Sequence, residues 1–278
     1  MNAIMGMVSI AKDSLDDPVH IEDCLNKVET SAKFLLSLIN DILDMSKIES
    51  GKMILKKKEF DFVAFVRNIT AIFYSQAEKK KVHFQVVTEG LLQESYIGDE
   101  LKLNQILINL LGNAIKFTNP GGSVELSIAE GKHADKSTEL IFTVRDTGIG
   151  MDKAFLDKIF EPFEQDHQKE NRGGSGLGLS IAGNYARMMN GCIDVESRMG
   201  EGSVFRAHVW LNRTETNGKN PSQRPFSGPE NTYRRPLSRF LRPYRRPFSK
   251  ILYTYRNDRF QTGGASCFKR CQKGRNPV

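Results

Sequence analysis

Cysteine, histidine and long hydrophobic runs are all scarce in these 278 residues, and each scarcity excludes something. The four cysteines, Cys24, Cys192, Cys267 and Cys271, are scattered. Only the last two are close, and Cys267-Phe-Lys-Arg-Cys271 has neither the paired spacing nor the neighbouring histidine of a zinc site, so free thiols are expected. No apolar stretch approaches the roughly 18 to 20 residues needed to span a bilayer. Phe34-Leu-Leu-Ser-Leu-Ile39 is too short, and no basic segment precedes an apolar one at the N-terminus as in a signal peptide. A soluble, cytoplasmic polypeptide is expected, whose longer parent could still carry a membrane anchor.

Acidic charge is lacking only at one end. Residues 1–212 hold 24 Lys and Arg against 30 Asp and Glu, whereas residues 213–278 hold 16 against 3. The net charge of +7 therefore belongs to the tail and says nothing about the partners of the rest. Seven of the ten prolines also fall in that tail, in clusters such as Arg234-Arg-Pro and Arg245-Arg-Pro-Phe248. Apolar periodicity is absent there, so no packed core is expected. A disordered or out-of-frame tail is favoured over an arm for nucleic acid or anionic membrane, and no specific nucleic acid is expected as a partner.

What is present is periodic. Residues 1–50 read as two helices parted by Asp16-Asp17-Pro18. In the second, Leu25, Val28, Ala32, Leu35, Ile39 and Ile42 alternate spacings of three and four, a heptad seam that suits a helical bundle. From Lys56 the pattern is mixed. A short strand at Phe60–Phe62 leads into a helix to about Lys80, His83–Thr88 reads as a strand, and Gly98-Asp99 opens a helix to Thr118. Strands follow at Ser123–Glu130 and Thr138–Asp146, helices near Asp152–Phe160 and Leu177–Met189, and closing strands at Cys192–Ser197 and Ser203–Leu211. The polar stretch from Glu164 to Gly176 reads as a mobile loop.

Three segments in fixed order carry chemistry. On the helix from Asp99 to Thr118, Leu103, Ile106, Leu107, Leu110, Leu111 and Ala114 share one face, while Gln105, Asn109, Asn113 and Lys116 cluster on the other. Asparagine is a poor helix former, so two of them one turn apart need a reason beyond solvation. Neutral amide oxygens complete a magnesium shell beside phosphates and water, and a lysine offsets phosphate charge. Next, Asp146-Thr-Gly-Ile-Gly150 ends a strand with an acceptor-only carboxylate, suited to the exocyclic amine of adenine, beside glycines that let backbone approach a flat ring. Last, Gly173-Gly-Ser-Gly-Leu-Gly178 opens a helix whose N-terminal amides suit phosphate. It matches neither the G-x-G-x-x-G dinucleotide fingerprint nor a phosphate-binding P-loop. Each segment alone is weak, but the ordered set within one domain's length points to a nucleoside triphosphate.

In combination the segments closely resemble sensor histidine kinases. Asn109-Leu-Leu-Gly-Asn-Ala-Ile-Lys-Phe-Thr118 resembles their asparagine box and Asp146–Gly150 their first glycine box. Phe160-Glu-Pro-Phe163 resembles their phenylalanine box, Gly174–Leu179 their second glycine box, and Gly200-Glu-Gly-Ser-Val-Phe205 their closing glycine motif. The match covers roughly residues 1–212. It implies an α+β fold: a Bergerat-type ATP-binding sandwich, a mixed sheet with helices on one face, at residues 55–212. Before it would lie a helical hairpin at residues 1–50 that forms a four-helix bundle on dimerisation, and after it the basic tail 213–278.

The resemblance implies ATP and Mg2+ as cofactors. Asn113 would be the magnesium ligand, Asn109 its neighbour at the phosphates, Lys116 a phosphate contact and Asp146 the adenine contact. By the same resemblance, Phe117, Gly148, Gly150, Phe160 and Phe163 would belong to the same pocket. Gly174, Ser175, Gly176, Leu177 and Gly178 would form the phosphate edge of a lid. Related ATPases such as gyrase carry a water-activating glutamate where this chain has Asn109, which favours phosphotransfer over hydrolysis. The implied partners are a second copy through the hairpin, and the receiver domain of a response regulator or an intact kinase.

Two departures qualify this. The family's Ser-His-Glu motif precedes the segment resembled by Met1–Met7, and none of His20, His83, His133, His167 or His208 has that context. In hybrid relatives a receiver domain often follows, whereas only arginine-rich sequence appears after residue 225. A truncated start, a frameshifted end and an inability to autophosphorylate are the expectations. A silent dimerising fragment, or a serine kinase or ATPase on the same fold, are the alternatives.

Overall fold

The computed structural model describes residues 2–14, 16–90, 92–164 and 175–214. Two compact units emerge, the first from residues 1–54 with 161–181, the second from residues 55–160 with the chain from residue 182 onward. The basic tail beyond Thr214 and most of the polar loop after Glu164 lie outside the described residues.

The first unit is built on two packed helices, α1 (Asn2–Asp13) and α2 (Pro18–Glu49). Helix α2 begins at Pro18, ahead of the first seam residue Leu25, because Asp17 caps it. Its Oδ1 accepts the amides of Val19 and His20, each at 3.1 Å, and Pro18 sits in the first turn, where a missing N–H costs nothing. Cys24 is fully buried, and Ile21, Val28, Leu35, Leu38, Met45 and Ile48 are half-buried. The seam is wider than this burial. Leu25, Leu36, Ile39, Ile42 and Leu43 stay roughly half or more exposed, in a second apolar stripe beside the first.

The second unit is a seven-stranded sheet with helices on one face. In chain order come β1 (Lys58–Asp61), α3 (Phe62–Lys80), β2 (His83–Glu89), β3 (Ser95–Gly98), α4 (Glu100–Phe117), β4 (Ser123–Ala134), β5 (Ser137–Asp146) and α5 (Lys153–Leu156). Helix α6 (Gly178–Met188) leads in from the first unit, followed by β6 (Cys192–Arg198) and β7 (Gly202–Arg213). The order across the sheet is β1-β3-β7-β5-β4-β2, with β6 also paired to β7. All pairs are antiparallel except β2 with β4, which makes the sheet mixed. The architecture is therefore α+β.

Alternation along β5 sets the core. Thr138, Leu140, Phe142, Val144 and Asp146 point inward and are buried, while Ile141, Thr143 and Arg145 face outward. Helix α4 presses Leu103, Ile106, Leu107, Leu110 and Leu111 into the core, each with no exposed surface. At roughly 1.5 to 3 kcal/mol for each buried large aliphatic, this face fixes the helix's rotation. Phe60, Phe62, Phe65, Tyr96 and Phe142 form an aromatic cluster, with Phe62 edge-on to Tyr96 at 5.0 Å between ring centroids.

Three features differ from the sequence reading. Strand β3 was not expected, because four residues beside a helix start show too little alternation. Helix α5 is one turn rather than nine residues. Cys192 is disulfide-bonded, unlike the buried free thiol of Cys24. The spacing argument addressed zinc-type pairs of neighbouring cysteines and does not bear on Cys192.

Asp99 anchors the start of α4. One carboxylate oxygen accepts the Lys102 amide at 3.2 Å and the other the Lys56 amide at 2.8 Å, and the residue is buried. Replacing it leaves two donors short of partners. Asp99→Ala is expected to cost about 2 kcal/mol and lower the thermal midpoint by several degrees, read by a circular-dichroism melt.

Candidate active site

The polar stripe of α4 stands where the apolar face leaves it. Gln105, Asn109, Asn113 and Lys116 are all half-buried, and the Lys116 ammonium lies 4.9 Å from the centre of the Phe117 ring. The helix ends at Phe117, and Thr118 turns the chain into an extended conformation. Thr118 is fully buried and satisfies the Ala114 carbonyl twice, through its amide at 3.1 Å and its hydroxyl at 2.7 Å.

Directly beside this helix end lies the loop that follows β5. The Ile149 amide donates to the Phe117 carbonyl at 3.3 Å, so the asparagine helix and the Asp146–Gly150 loop are stitched together. Asp146 is buried with 6% of its surface exposed. Its Oδ1 accepts the Gly148 amide at 2.8 Å, which curls the loop back over the carboxylate. Burial pushes its carboxyl above the ordinary carboxylate value, while hydrogen bonds from the Gly148 and Ser203 amides pull the other way. Gly150 cannot be replaced freely. Its φ is +63°, and a Cβ would stand 1.8 Å from the Arg198 carbonyl oxygen. Phe160 is half-buried near the end of this stretch.

The remaining predicted residues belong to the first unit. Phe163 has a φ of +64°, unusual for a bulky residue, and is mostly exposed. Its amide donates to the Gly176 carbonyl at 3.0 Å. Gly176 has a φ of +71°, with Phe163 backbone 2.8 Å from the place a Cβ would occupy. The Ser175 hydroxyl accepts the Leu177 amide at 3.2 Å and lies 3.5 Å from an Asp41 carboxylate oxygen on α2. Leu177 is buried and Gly178 begins α6. Gly174 lies outside the described residues.

Two family models match the chain. His Kinase A (phospho-acceptor) domain matches residues 1–51, and histidine kinase-, DNA gyrase B- and HSP90-like ATPase matches residues 98–213. The chain belongs to the histidine kinases. It is 37% identical over 218 residues to the autoinducer 2 sensor kinase/phosphatase LuxQ of Vibrio vulnificus, which covers 77% of this chain and 25% of LuxQ. It is 35% identical to the sensor histidine kinase GacS of Pseudomonas protegens, over 82% of this chain and 25% of that one. Among solved structures, full-length ShkA in complex with AMPPNP aligns with a TM-score of 0.60 and 27% identity, over 76% of this chain and 43% of ShkA. The histidine kinase AdeS of Acinetobacter baumannii shares the fold, with a TM-score of 0.55 and 23% identity over 76% of this chain and 94% of AdeS. The chain spans about a quarter of the length of these curated relatives. No helix among its described residues is long and apolar enough to cross a membrane.

In this chain the eight predicted residues from Asn109 to Phe160 fall in the second unit, and the described ones from Phe163 to Gly178 in the first. Sequence reasoning missed the contacts that fix the α4 end, the Ile149 amide among them. A backbone donor leaves no sequence signal, and Thr118 was read only as a helix end.

The raised Asp146 carboxyl carries a pH signature. A folded-state value above the unfolded one means that stability is fully present below the unfolded value, about 3.9, and is lost as pH rises through the folded value. Asp146→Asn has no such loss. Urea denaturation at a series of pH values is expected to show the variant gaining on the wild type as pH rises out of the acid range. A constant difference would contradict the shift.

Proposed function

We propose that this chain is the ATP-binding catalytic module of a protein-histidine kinase, residues 55–212. A dimerisation hairpin at residues 1–50 precedes it, and residues 213–278 lie outside its working parts. The observation that carries the reading is the buried carboxylate of Asp146 at a strand end, tied through Gly148 and Ile149 to the helix bearing Asn109, Asn113 and Lys116. A carboxylate that costs stability when ionised is retained where it has a ligand to meet, and an adenine amine is such a ligand.

Each residue then has a task. Asp146 accepts a hydrogen bond from the adenine amine, and the Gly148 amide aims it. Asn109 and Asn113 present amide groups to the phosphates, and Lys116 supplies positive charge beside them. Phe117 and Phe160 offer apolar surface to the base. For Phe163 and for Gly174, Ser175, Gly176, Leu177 and Gly178, support comes from the motif and from the glycine conformation at Gly176. Among the described residues no group of three or more His, Cys, Asp or Glu is placed to hold a metal ion. Asn113 fits a magnesium carried in mainly by phosphate and water, which would neutralise charge on the phosphates.

The activity is transfer of the γ-phosphoryl group to a histidine nitrogen within a two-component relay. The 278 residues do not label themselves. His208 has both ring nitrogens engaged, by Glu139 at 2.9 Å and Asp194 at 3.1 Å. The His133 Nδ1 is 2.8 Å from the Thr138 hydroxyl. His20 has Val19 and Ile21 where the acceptor motif has serine and glutamate, and His83 lies on β2. His167 is outside the described residues. The acceptor is therefore a histidine on an intact kinase hairpin, and the downstream partner is a response regulator. The module works in the cytoplasm, where ATP is.

Titration with Mg-ATP is expected to show binding by the wild type and at least a tenfold loss for Asp146→Asn, equivalent to about 1.4 kcal/mol. Equally poor binding by both would sink the kinase-module reading. With labelled ATP and a separate histidine-bearing hairpin, acid-labile label on the hairpin is expected. Acid-stable label would favour a serine kinase on the same fold.

The exposed stripe of Leu25, Leu36, Ile39 and Leu43 supports a homodimer formed as a four-helix bundle. Light scattering is expected to give a dimer for the wild type and a monomer for the double variant Leu36→Glu, Ile39→Glu. A wild type that is monomeric at tens of micromolar would exclude a stable bundle.

A further inference from the structure

The last turn of an α-helix leaves four carbonyls without helical partners, and something must meet each of them where water is kept out. At the end of α4 the partners come from three places. Thr118 meets the Ala114 carbonyl and the Ile149 amide meets that of Phe117. The two carbonyls between them, of Ile115 and Lys116, both receive the ammonium of Lys80, at 2.7 and 2.5 Å.

Lys80 reaches them because of how α3 ends. Lys81 turns left-handed at φ 59° and returns its amide to Ala77 and Glu78. The chain then runs back into β2, and the Gly121 amide bonds the Lys81 carbonyl at 2.7 Å. The ends of α3 and α4 are thus held side by side, with the half-buried Lys80 crossing between them. A cation at this point also answers the negative end of the α4 dipole.

We infer that Lys80 is a positioning residue for the nucleotide site: by holding the carbonyls of Ile115 and Lys116 it fixes the last turn of α4, and so the places of Lys116, Phe117 and the Ile149 amide. This rests on the ATP-binding reading above. Lys80 itself need not touch the nucleotide. Without its ammonium, two carbonyls in the last turn lose their donor and the turn loosens. The Phe117 carbonyl then no longer offers Ile149 a fixed acceptor, and the loop that aims Asp146 loses its tie to the helix.

The test uses the full chain with Lys80→Met, Lys80→Gln and Lys80→Arg. Two readouts are taken: affinity for Mg-ATP, and hydrogen exchange of the Ile149 and Thr118 amides without nucleotide. Lys80→Met is expected to weaken ATP binding about five- to tenfold and to speed exchange at Ile149, leaving the amides of β4 and β5 unchanged. Lys80→Arg should restore both, since it keeps the charge and the donors. Lys80→Gln, which keeps a donor without charge and guards against a Met variant that fails to fold, should fall between. Unchanged affinity in Lys80→Met and Lys80→Gln, while the wild type binds ATP, overturns the inference alone. Weakened affinity with exchange faster throughout the sheet also overturns it, because Lys80 would then be general scaffolding. A wild type that does not bind ATP removes the proposed function and this inference together.

Discussion

Everything in the second unit depends on one helix being unable to rotate. Five leucine and isoleucine side chains of α4 have no exposed surface, and turning the helix by even a quarter-turn would bring some of them to water. Each carries roughly 1.5 to 3 kcal/mol of burial. The asparagines, one turn apart, are therefore presented along a fixed line. Caps at the two ends add the axial register. Asp99 ties the first turn to the Lys56 amide, and the last turn is met from α3 and from the loop after β5.

The site's electrostatics follow from the same packing. Asp146 is the last inward residue of β5, so the alternation that buries Phe142 and Val144 also drags a carboxylate into the interior. A strand that merely closed a core would end there on an apolar residue. The sheet's outer face shows the contrast. There, Arg206 pairs with Asp194 and Glu196, and His208 is bracketed by two carboxylates that hold its ionisation above the usual imidazole range. Those charges offset one another, whereas among the described residues Asp146 is met by the backbone amides of Gly148 and Ser203.

Much of this could be read in the sequence. The apolar face of α4, its asparagine stripe and the inward set of β5 are visible as periods of 3.6 and 2, because burial imposes them residue by residue. The asparagine and glycine boxes also gave the family, which the comparisons bear out. What escaped was short or purely backbone. Strand β3 has four residues and is defined by partners on β1 and β7, far along the chain. The role of Lys80 was hidden because a lysine at a helix end looks the same whether it faces solvent or a neighbouring helix. The α2 seam was legible as apolar, yet its width, with one stripe buried and another exposed, depends on what packs against it.

The strand order has a bearing on how this unit comes together. Strand β2 waits about 40 residues for β4, its parallel partner, and β3 waits more than a hundred for β7. Strand β7 alone joins β3, β5 and β6. A nascent chain can therefore form its helices and the β4–β5 hairpin early, but the sheet cannot close until the final strand has emerged. Such long-range closure slows folding and leaves strand edges open in the interval. Asn109, Asn113, Lys116 and Asp146, which we propose meet the nucleotide, all precede that strand, so their arrangement becomes rigid only when the unit is complete.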